Sequence, residues 1–575
     1  MKKQVKLFMF SIITLILVLC TSLADVQYQN INRISGNNRY ETAVLLSKSE
    51  YNESETAILV NDEIISDAIC AVQLAHSIKA PILLTSYNEM PIETRNEIKR
   101  LGAKKVIIVG GHEMINDTQF SSMKLEIERI AGEDRFKTSE LILEKLLIDE
   151  CEDLIVVSGH QFQNIISANQ VSKATGMPIL LIDNGLPLKY YKCKLHQIGE
   201  LDLELDTVTK ITGMDEYEIS AKCLYTYNIA NKGLTVCSGE NLGDSILAAS
   251  LNANTLLTNT NYVNRYAIQH LESSDYTTIN VVGGEEVIED SVIHQLYGMN
   301  KKNLKNASLP EKLPPNHDGD IMVLMYHDLN YYNDWYTRTE GAIKADIINL
   351  YNRGYLPISI EEYYYGNINI EEGYTPYVLT FDDGTDSKIR FDTNGKVSRH
   401  CVYSVLMELE KELPKFKSKA AFFINNEFPF GQRNYISDKL NMLIDSGMIV
   451  GNHTLNHVNL YKNPELIEKE IGLQKKNLES YIDSNYNVDI FSIPFSVGFD
   501  RHEEYNRLRN GYYEGINYHN RIILGGVPNP ALAPGKFDTG NYIVPRISVP
   551  GSDPGRLFYQ YLEMYEKYPE KRYVK

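Results

Sequence analysis

The chain has 575 residues, several times the length of one ordinary domain. Its 43% apolar and 23% charged residues, with only 36 Gly and 20 Pro, exclude a collagenous, low-complexity or largely disordered protein. Lys and Arg number 57 against 75 Asp and Glu, a net charge of −18, and a surface of that sign repels phosphate backbones, which argues against a nucleic-acid partner.

Lys2, Lys3 and Lys6 precede an apolar run of 14 residues from Leu7 to Cys20, and Ser22 and Ala24 supply small residues suited to a signal-peptidase site. The run falls short of the ~18 to 20 residues that span a bilayer, so residues 1–24 read as a cleaved signal peptide rather than an anchor. No other stretch is long and apolar enough to cross a membrane. Cleavage removes three lysines and no acid, taking the charge from −18 to −21. Cys70, Cys151, Cys193, Cys223, Cys237 and Cys401 are scattered without C-x-x-C spacing, so neither a zinc knuckle nor a redox pair is suggested, while a disulfide stays open.

The next 270 or so residues repeat themselves. Arg33-Ile34-Ser35-Gly36-Asn37-Asn38-Arg39-Tyr40-Glu41-Thr42 recurs as Arg129-Ile130-Ala131-Gly132-Glu133-Asp134-Arg135-Phe136-Lys137-Thr138, and more loosely from Lys210-Ile211-Thr212-Gly213, where Glu216 replaces the second Arg. Each opening leads to a short apolar strand, a helix-like stretch and a second strand: 57–60 then 81–84, 154–157 then 178–181, 234–237 then 255–257. Further strands end in glycine pairs at Val109-Gly110-Gly111 and Val282-Gly283-Gly284; the second copy lacks such a pair and uses Ile211-Thr212-Gly213 both as its end and as the next start. Short apolar strands alternating with helices predict small parallel-sheet α/β units at 25–115, 116–213 and 214–299. Arg33, Arg39, Arg129 and Arg135 have the guanidinium forks that pair with phosphate or carboxylate, although for any one of them a structural corner is the stronger reading. No G-x-G-x-x-G or P-loop supports a nucleotide role.

These repeats resemble the clostridial type 2 cell-wall-binding repeat, through the R-I-x-G-x-x-R-[YF]-x-T opening and the V-G-G ending. The resemblance implies that three packed copies hold the protein non-covalently on an anionic secondary polymer of a Gram-positive wall, with Arg33, Arg39, Arg129 and Arg135 as candidate polymer contacts.

Residues 300–319 are polar and proline-bearing, without hydrophobic periodicity, and read as a linker. The remaining 320–575 suit one large domain of α/β-barrel length. Its first strand, 321–326, ends at His327; another, 377–381, runs into Asp382-Asp383-Gly384. Adjacent carboxylates repel and raise each other's pKa unless a cation lies between them. Gly451-Asn452-His453-Thr454-Leu455-Asn456-His457 then offers two imidazoles whose i, i+4 spacing predicts one helical face. Two His and one Asp make an open site of the kind that hydrolytic metals use.

Thr380-Phe381-Asp382-Asp383-Gly384, Ala420-Ala421-Phe422-Phe423-Ile424 and His453-Thr454-Leu455-Asn456-His457 resemble, in order and spacing, the motifs of the polysaccharide deacetylases of carbohydrate esterase family 4, the NodB homology domain. The resemblance implies a distorted (β/α) barrel with Asp383, His453 and His457 as metal ligands. The ion would be zinc, with cobalt, nickel or manganese as alternatives. Asp382 would be the general base for water attack on the acetamide of an N-acetylhexosamine. The third motif departs from the usual form: in Phe491-Ser492-Ile493-Pro494-Phe495-Ser496, Ser492 or Ile493 stands where an Arg would steady the catalytic Asp. Val544-Pro545-Arg546-Ile547 resembles the I-P-R-I strand of extracellular poly-N-acetylglucosamine deacetylases, so Arg546 is the expected substitute. His519, His502 and His327 are candidates for the acid, His519 first. The expected protein is a secreted, wall-anchored, metal-dependent N-deacetylase of peptidoglycan or poly-N-acetylglucosamine, with an O-acetyl esterase or a glycan-binding surface-layer protein as alternatives.

Overall fold

The structure, a computed structural model, describes residues 30–575 apart from 64, 122, 147–150, 184, 202–204, 230–232, 252–253, 333, 484, 497–501, 526 and 552–555. The expected signal peptide lies outside the described residues. Among the described residues no helix is long and apolar enough to cross a membrane.

The expected α/β repeats are present as three four-stranded parallel sheets. Each is completed by a strand borrowed from another opening. Ile82–Thr85, Thr56–Asn61 and Lys105–Val109 form the first sheet, and Glu126–Ile130 of the second opening adds its edge. The second sheet joins Ile179–Ile182, Asp153–Ser158 and Lys194–Ile198 to Thr207–Ile211 of the third opening. The ring closes when Ile31–Ile34, from the first opening, pairs with Thr278–Val282 of the third unit. The boundaries drawn at 25 and at 115/116 therefore separate strands from the sheets they complete. Helices Ile65–Ile78, Phe162–Thr175 and Leu242–Ala249 pack on one another at the centre, where Ile69, Val72, Ile165, Ala168, Ile246 and Leu247 share one core.

The second copy does have a third strand, Lys194–Ile198, followed by a single glycine with φ +83°, Gly199. Its polar residues are tolerated in the sheet because they find partners there: His196 Nε2 lies 2.9 Å from Asp153 Oδ1 of the neighbouring strand, and Gln197 donates to the Gly199 carbonyl. At the feet of the strands paired here, the sulfurs of Cys151 and Cys193 stand 2.8 Å apart.

The C-terminal half is built on a nine-stranded sheet, parallel throughout. Its strands are β1 (Met322–Tyr326), β2 (Tyr355–Ile358), β3 (Thr375–Asp382), β4 (Ala420–Ile424), β5 (Ile449–Asn452), β6 (Ile490–Ser492), β7 (Ile522–Leu524), β8 (Ile543–Val544) and β9 (Ile547–Ser548). They run in the order β8-β7-β6-β5-β4-β3-β1-β9, with β2 beside the first half of β3. The two edge strands are separated in sequence by Pro545 and Arg546 alone, so the sheet must curl until its edges meet, which gives the expected distorted barrel. Alternation along each strand sorts side chains between two cores. Leu324, Leu379 and Phe422 face the helices, whereas Val323, Val378 and Phe423 face the enclosed core, the side to which the same period assigns Thr380 and Asp382.

Residues 300–319 do not hang free. Lys301–Asn306 is helical with Leu304 buried, Leu313 donates to the Gly373 carbonyl, and Asn316 bridges to Val574. The two halves meet through α1 (Asp290–Met299) of the third unit and α2 (Glu340–Asn352) of the barrel, whose backbones touch at Gly298 and Gly341; a Cβ at 298 would lie 1.8 Å from the Gly341 carbonyl oxygen. Beneath this contact Asp346 is buried. It accepts from Arg338 Nε at 2.7 Å and Nη2 at 2.6 Å, and from the hydroxyls of Tyr326 and Tyr559 at 3.0 Å each, while His294 Nε2 of α1 lies 2.8 Å away.

Burial alone would raise the Asp346 carboxyl, but Arg338 and His294 outweigh it and bring the pKa down to about 2. A carboxyl with a depressed folded-state pKa stabilises the fold above its unfolded value and loses that contribution as pH falls toward 2. Asp346→Asn, by leaving Arg338 buried without its anion, should cost about 3–5 kcal/mol at neutral pH. It should also flatten the fall in Tm between pH 4 and 2, both measured by thermal denaturation of the full chain.

Candidate active site

Asp382, the last residue of β3, is buried inside the barrel. The chain then turns at Asp383, whose φ of +70° is left-handed, a costly conformation for a residue with a Cβ and one that concentrates at functional sites. The turn is held by Asn425, which follows β4: its amide donates to Asp383 Oδ1 at 2.8 Å, and its carbonyl oxygen accepts from the Gly384 N–H at 2.9 Å.

His453 and His457 come together, but not on a helix. They lie in the loop after β5, and the left-handed residues Thr454 (φ +66°) and His457 (φ +51°) fold that loop back until the two rings are 5.0 Å apart. His453 Nε2 lies 3.7 Å from Asp382 Oδ2, and His457 Nε2 3.6 Å from Asp383 Oδ1. One ligand atom each from Asp383, His453 and His457 falls within 4.8 Å of the other two. His453 Nδ1 is 2.8 Å from the Ser492 carbonyl oxygen, so this nitrogen carries the proton and Nε2 keeps its lone pair for the carboxylate side. That pairing is what a metal-ligating imidazole requires, and the donor set of two imidazoles and one carboxylate fits a divalent ion with open positions.

Arg546, at the seam between β8 and β9, is buried and reaches into the barrel. Its Nη1 donates to Asp382 Oδ1 at 2.6 Å and its Nη2 to Oδ2 at 2.8 Å, a bidentate pair, and Nη2 also donates to Ser492 Oγ at 2.8 Å. Burial pushes the Asp382 carboxyl up, but Arg546, then His453 and His327, overcome it and hold the group ionised well below the usual carboxylate range. His453 is depressed by its burial, against the pull of Asp382 and Asp383. His327, just past the end of β1, is likewise depressed by burial and is drawn upward by the same two carboxylates. At the mouth, Phe495 (φ +61°) is 56% exposed, with its ring 4.7 Å from that of His457.

The other sequence candidates fall elsewhere. His519 is exposed on the hairpin formed by 510–513 and 516–519, its Nδ1 2.6 Å from Asn510 Oδ1, and does not join the cluster. The side chain of His502 lies outside the described residues. In the repeats, Arg33 and Arg129 turn inward. Arg33 donates to the carbonyls of Gly283 and Ile288 and to Asp290, each at 2.7 Å; Arg129 donates to the carbonyls of Gly110, Gly111 and Ile115 and to Asp117. Both thus fasten the glycine-pair loops, in which Gly110 (φ +125°) and Gly283 (φ +120°) adopt a backbone that a side chain would strain. As polymer contacts they are poorly placed. Arg39 and Arg135 bond one carbonyl each, that of Asp62 at 2.6 Å and that of Gly159 at 3.0 Å. Asn425 was missed in sequence; the signal available was its place directly after the apolar strand 420–424.

Comparison with known proteins agrees with this division. Residues 33–119, 129–199 and 210–293 match cell wall binding domain 2, and residues 372–509 match the polysaccharide deacetylase family. The chain thus carries three cell-wall-binding repeats and a polysaccharide deacetylase domain of carbohydrate esterase family 4. The N-acetylmuramoyl-L-alanine amidase LytC of Bacillus subtilis is 28% identical over 316 residues, 52% of this chain and 63% of its own. The amidase enhancer of the same organism is 29% identical over 233 residues, 38% of this chain and 33% of its own. The chain therefore spans less than two thirds of either relative. Among solved structures, Cwp6 from Clostridium difficile shares 23% identity at a TM-score of 0.44, covering 55% of each chain. The Streptococcus pyogenes deacetylase PplD in complex with acetate shares 18% at 0.31, covering 42% of this chain and 98% of its own.

The donor geometry gives a direct test. The full chain should bind one equivalent of Co2+, read from its visible absorption. His457→Ala and Asp383→Asn should each weaken that binding at least about 10-fold, since losing a ligand costs no less than losing a residue that orients one. Undiminished binding in both variants would rule out this cluster.

Proposed function

We propose that the protein is an exported, wall-anchored, metal-dependent deacetylase that hydrolyses N-acetyl groups of an N-acetylglucosamine-type polymer, peptidoglycan or poly-N-acetylglucosamine. The observation that carries the reading is the bidentate Arg546–Asp382 pair beside the Asp383, His453 and His457 cluster. It supplies a fixed, ionised base next to three ligand atoms.

A divalent ion held by Asp383, His453 and His457, zinc in the first instance, would act as a Lewis acid toward the acetamide carbonyl and lower the pKa of water there. Asp382 is held ionised, so it can take a proton from the attacking water. Arg546 fixes both carboxylate oxygens, and Ser492, which stands where the family's usual Arg is missing, completes the contact through its hydroxyl. When the tetrahedral adduct collapses, the C–N bond breaks and the amine nitrogen needs a proton. His327, within the electrostatic reach of Asp382 and Asp383, takes that role in place of His519 by passing on the proton that Asp382 took from the water. Acetate and a free hexosamine amine are the products.

Three wall-binding repeats hold the barrel on its substrate surface. With Arg33 and Arg129 occupied inside the loops, an anionic wall polymer would meet Arg39 and Arg135. The net charge of −18 opposes that approach, so the contact must be local rather than steered by the field of the whole protein.

The full chain, loaded with zinc or cobalt, should release acetate from chitooligosaccharide or from N-acetylated peptidoglycan. Asp382→Asn and His327→Gln should each lower turnover by about 100-fold or more, the range of general acid–base contributions. No acetate from either substrate, or turnover unchanged in Asp382→Asn, would overturn the proposal. Faster release from O-acetylated than from N-acetylated peptidoglycan would reassign the site as an esterase.

A further inference from the structure

A cleft of about 690 Å3 opens between the third repeat and the barrel, well within the size range of ligand sites. One wall is the helix Arg265–Glu272 of the repeat; the other is formed by barrel loops, including Tyr331 and 398–400. Its lining includes Asp328, which follows His327, and Thr385, two residues beyond Asp383, and these two are hydrogen-bonded to each other, so the cleft adjoins the loops that carry the candidate active site.

The walls are fixed by contacts that cross or brace them. Arg399 of the barrel forms an ion pair with Glu272 of the repeat, and His400 Nδ1 is 3.1 Å from Glu340 Oε2. Arg390 donates twice to Asp386, and Lys388 pairs with Asp328. Behind them the Asp346 network locks the two halves together, so a ligand would find the cleft already formed and little ordering would be needed on binding.

The lining has a definite chemistry. Most of its cations are matched by carboxylates, which leaves little net field for an anion. What remains is hydroxyls, amides, two tyrosine rings and the aliphatic side chains of Ile268 and Leu329. Tyr331 is 53% exposed. Arg265 lies 4.5 Å over the Tyr266 ring and, among the described residues, pairs with no carboxylate, leaving its outer N–H groups for a neutral acceptor. Flat rings beside hydrogen-bonding groups suit pyranose rings carrying hydroxyl and acetamido substituents.

We propose that this cleft binds the neutral hexosamine rings that flank the ring being deacetylated, so that the wall-binding half supplies part of the substrate site. The inference rests on the deacetylase reading and deepens it, making the enzyme one that prefers a chain to a short oligomer. It also separates two glycan contacts on one protein: a neutral strand in the cleft, and an anionic polymer elsewhere on the repeats.

The test uses the full chain and its one tryptophan. Trp335 is 63% exposed, four residues beyond Tyr331, and reports binding by fluorescence. Calorimetry provides a second readout. Chitohexaose should bind at least about 10-fold more tightly than chitobiose, a difference worth about 1.4 kcal/mol. Arg265→Ala and Tyr331→Ala, both exposed, should narrow that preference to about 3-fold or less with an unchanged Tm. Equal binding of the two sugars by the wild type, or an undiminished preference in both variants, would overturn the proposal. Acetate release is measured separately on the same samples. A chain preference without any acetate would refute the deacetylase reading and keep the cleft, whereas acetate without a chain preference would do the reverse.

Discussion

Two strands that lie only Pro545 and Arg546 apart in sequence occupy opposite edges of the barrel sheet, and the rest of the C-terminal half depends on that closure. An open sheet would leave Arg546 at an edge, in solvent. Closed, it places the guanidinium at the seam and aims it inward at the end of β3, where Asp382 points by simple alternation. A buried carboxylate without that partner would gain a proton and could not act as a base. Barrel closure and the protonation state of Asp382 are therefore one event. The same seam explains why the third motif can do without its usual Arg: Ser492 is small enough to leave room for a guanidinium arriving from the far edge, and its hydroxyl bonds that guanidinium.

Much of this was legible along the chain. The strand at 377–381 running into two acids, the H-x-x-x-H pair and the I-P-R-I segment can each be read directly, and the ordering of the first two narrowed the chemistry to a hydrolytic metal site. The local conformation was not legible. The spacing of His453 and His457 suggests a helix, and nothing in Thr454-Leu455-Asn456 announces two left-handed residues, since neither Thr454 nor His457 is a glycine. Nothing along the chain decides among the acid candidates His519, His502 and His327; three-dimensional placement puts His519 on an exposed hairpin and His327 within the field of both carboxylates.

The repeats show the same division between local and non-local information. Strands with continuous apolar residues were found within a residue or two. Lys194–Ile198 breaks the apolar pattern because His196 and Gln197 are polar, and their partners, Asp153 on the neighbouring strand and the Gly199 carbonyl, show only in the fold. That each opening strand serves another unit could not be read from any window of sequence, because pairing Ile31 with Ile279 joins residues 248 positions apart. Arg33 and Arg129 follow from this arrangement: each sits on a borrowed strand and fastens the glycine loop of the sheet it has joined. Their recurrence, which resembles a binding signature, is explained by the joint.

The borrowed strands also set an order of events for a growing chain. Until Thr278–Val282 has been synthesised, Ile31–Ile34 has no partner and the three-unit ring stays open. Contacts so distant in sequence form late and slowly, because a long loop must close before any pairing rewards it. The N-terminal half consequently cannot complete its fold segment by segment as it emerges. Ile31–Ile34 therefore stays uncommitted until nearly half of the protein has followed it.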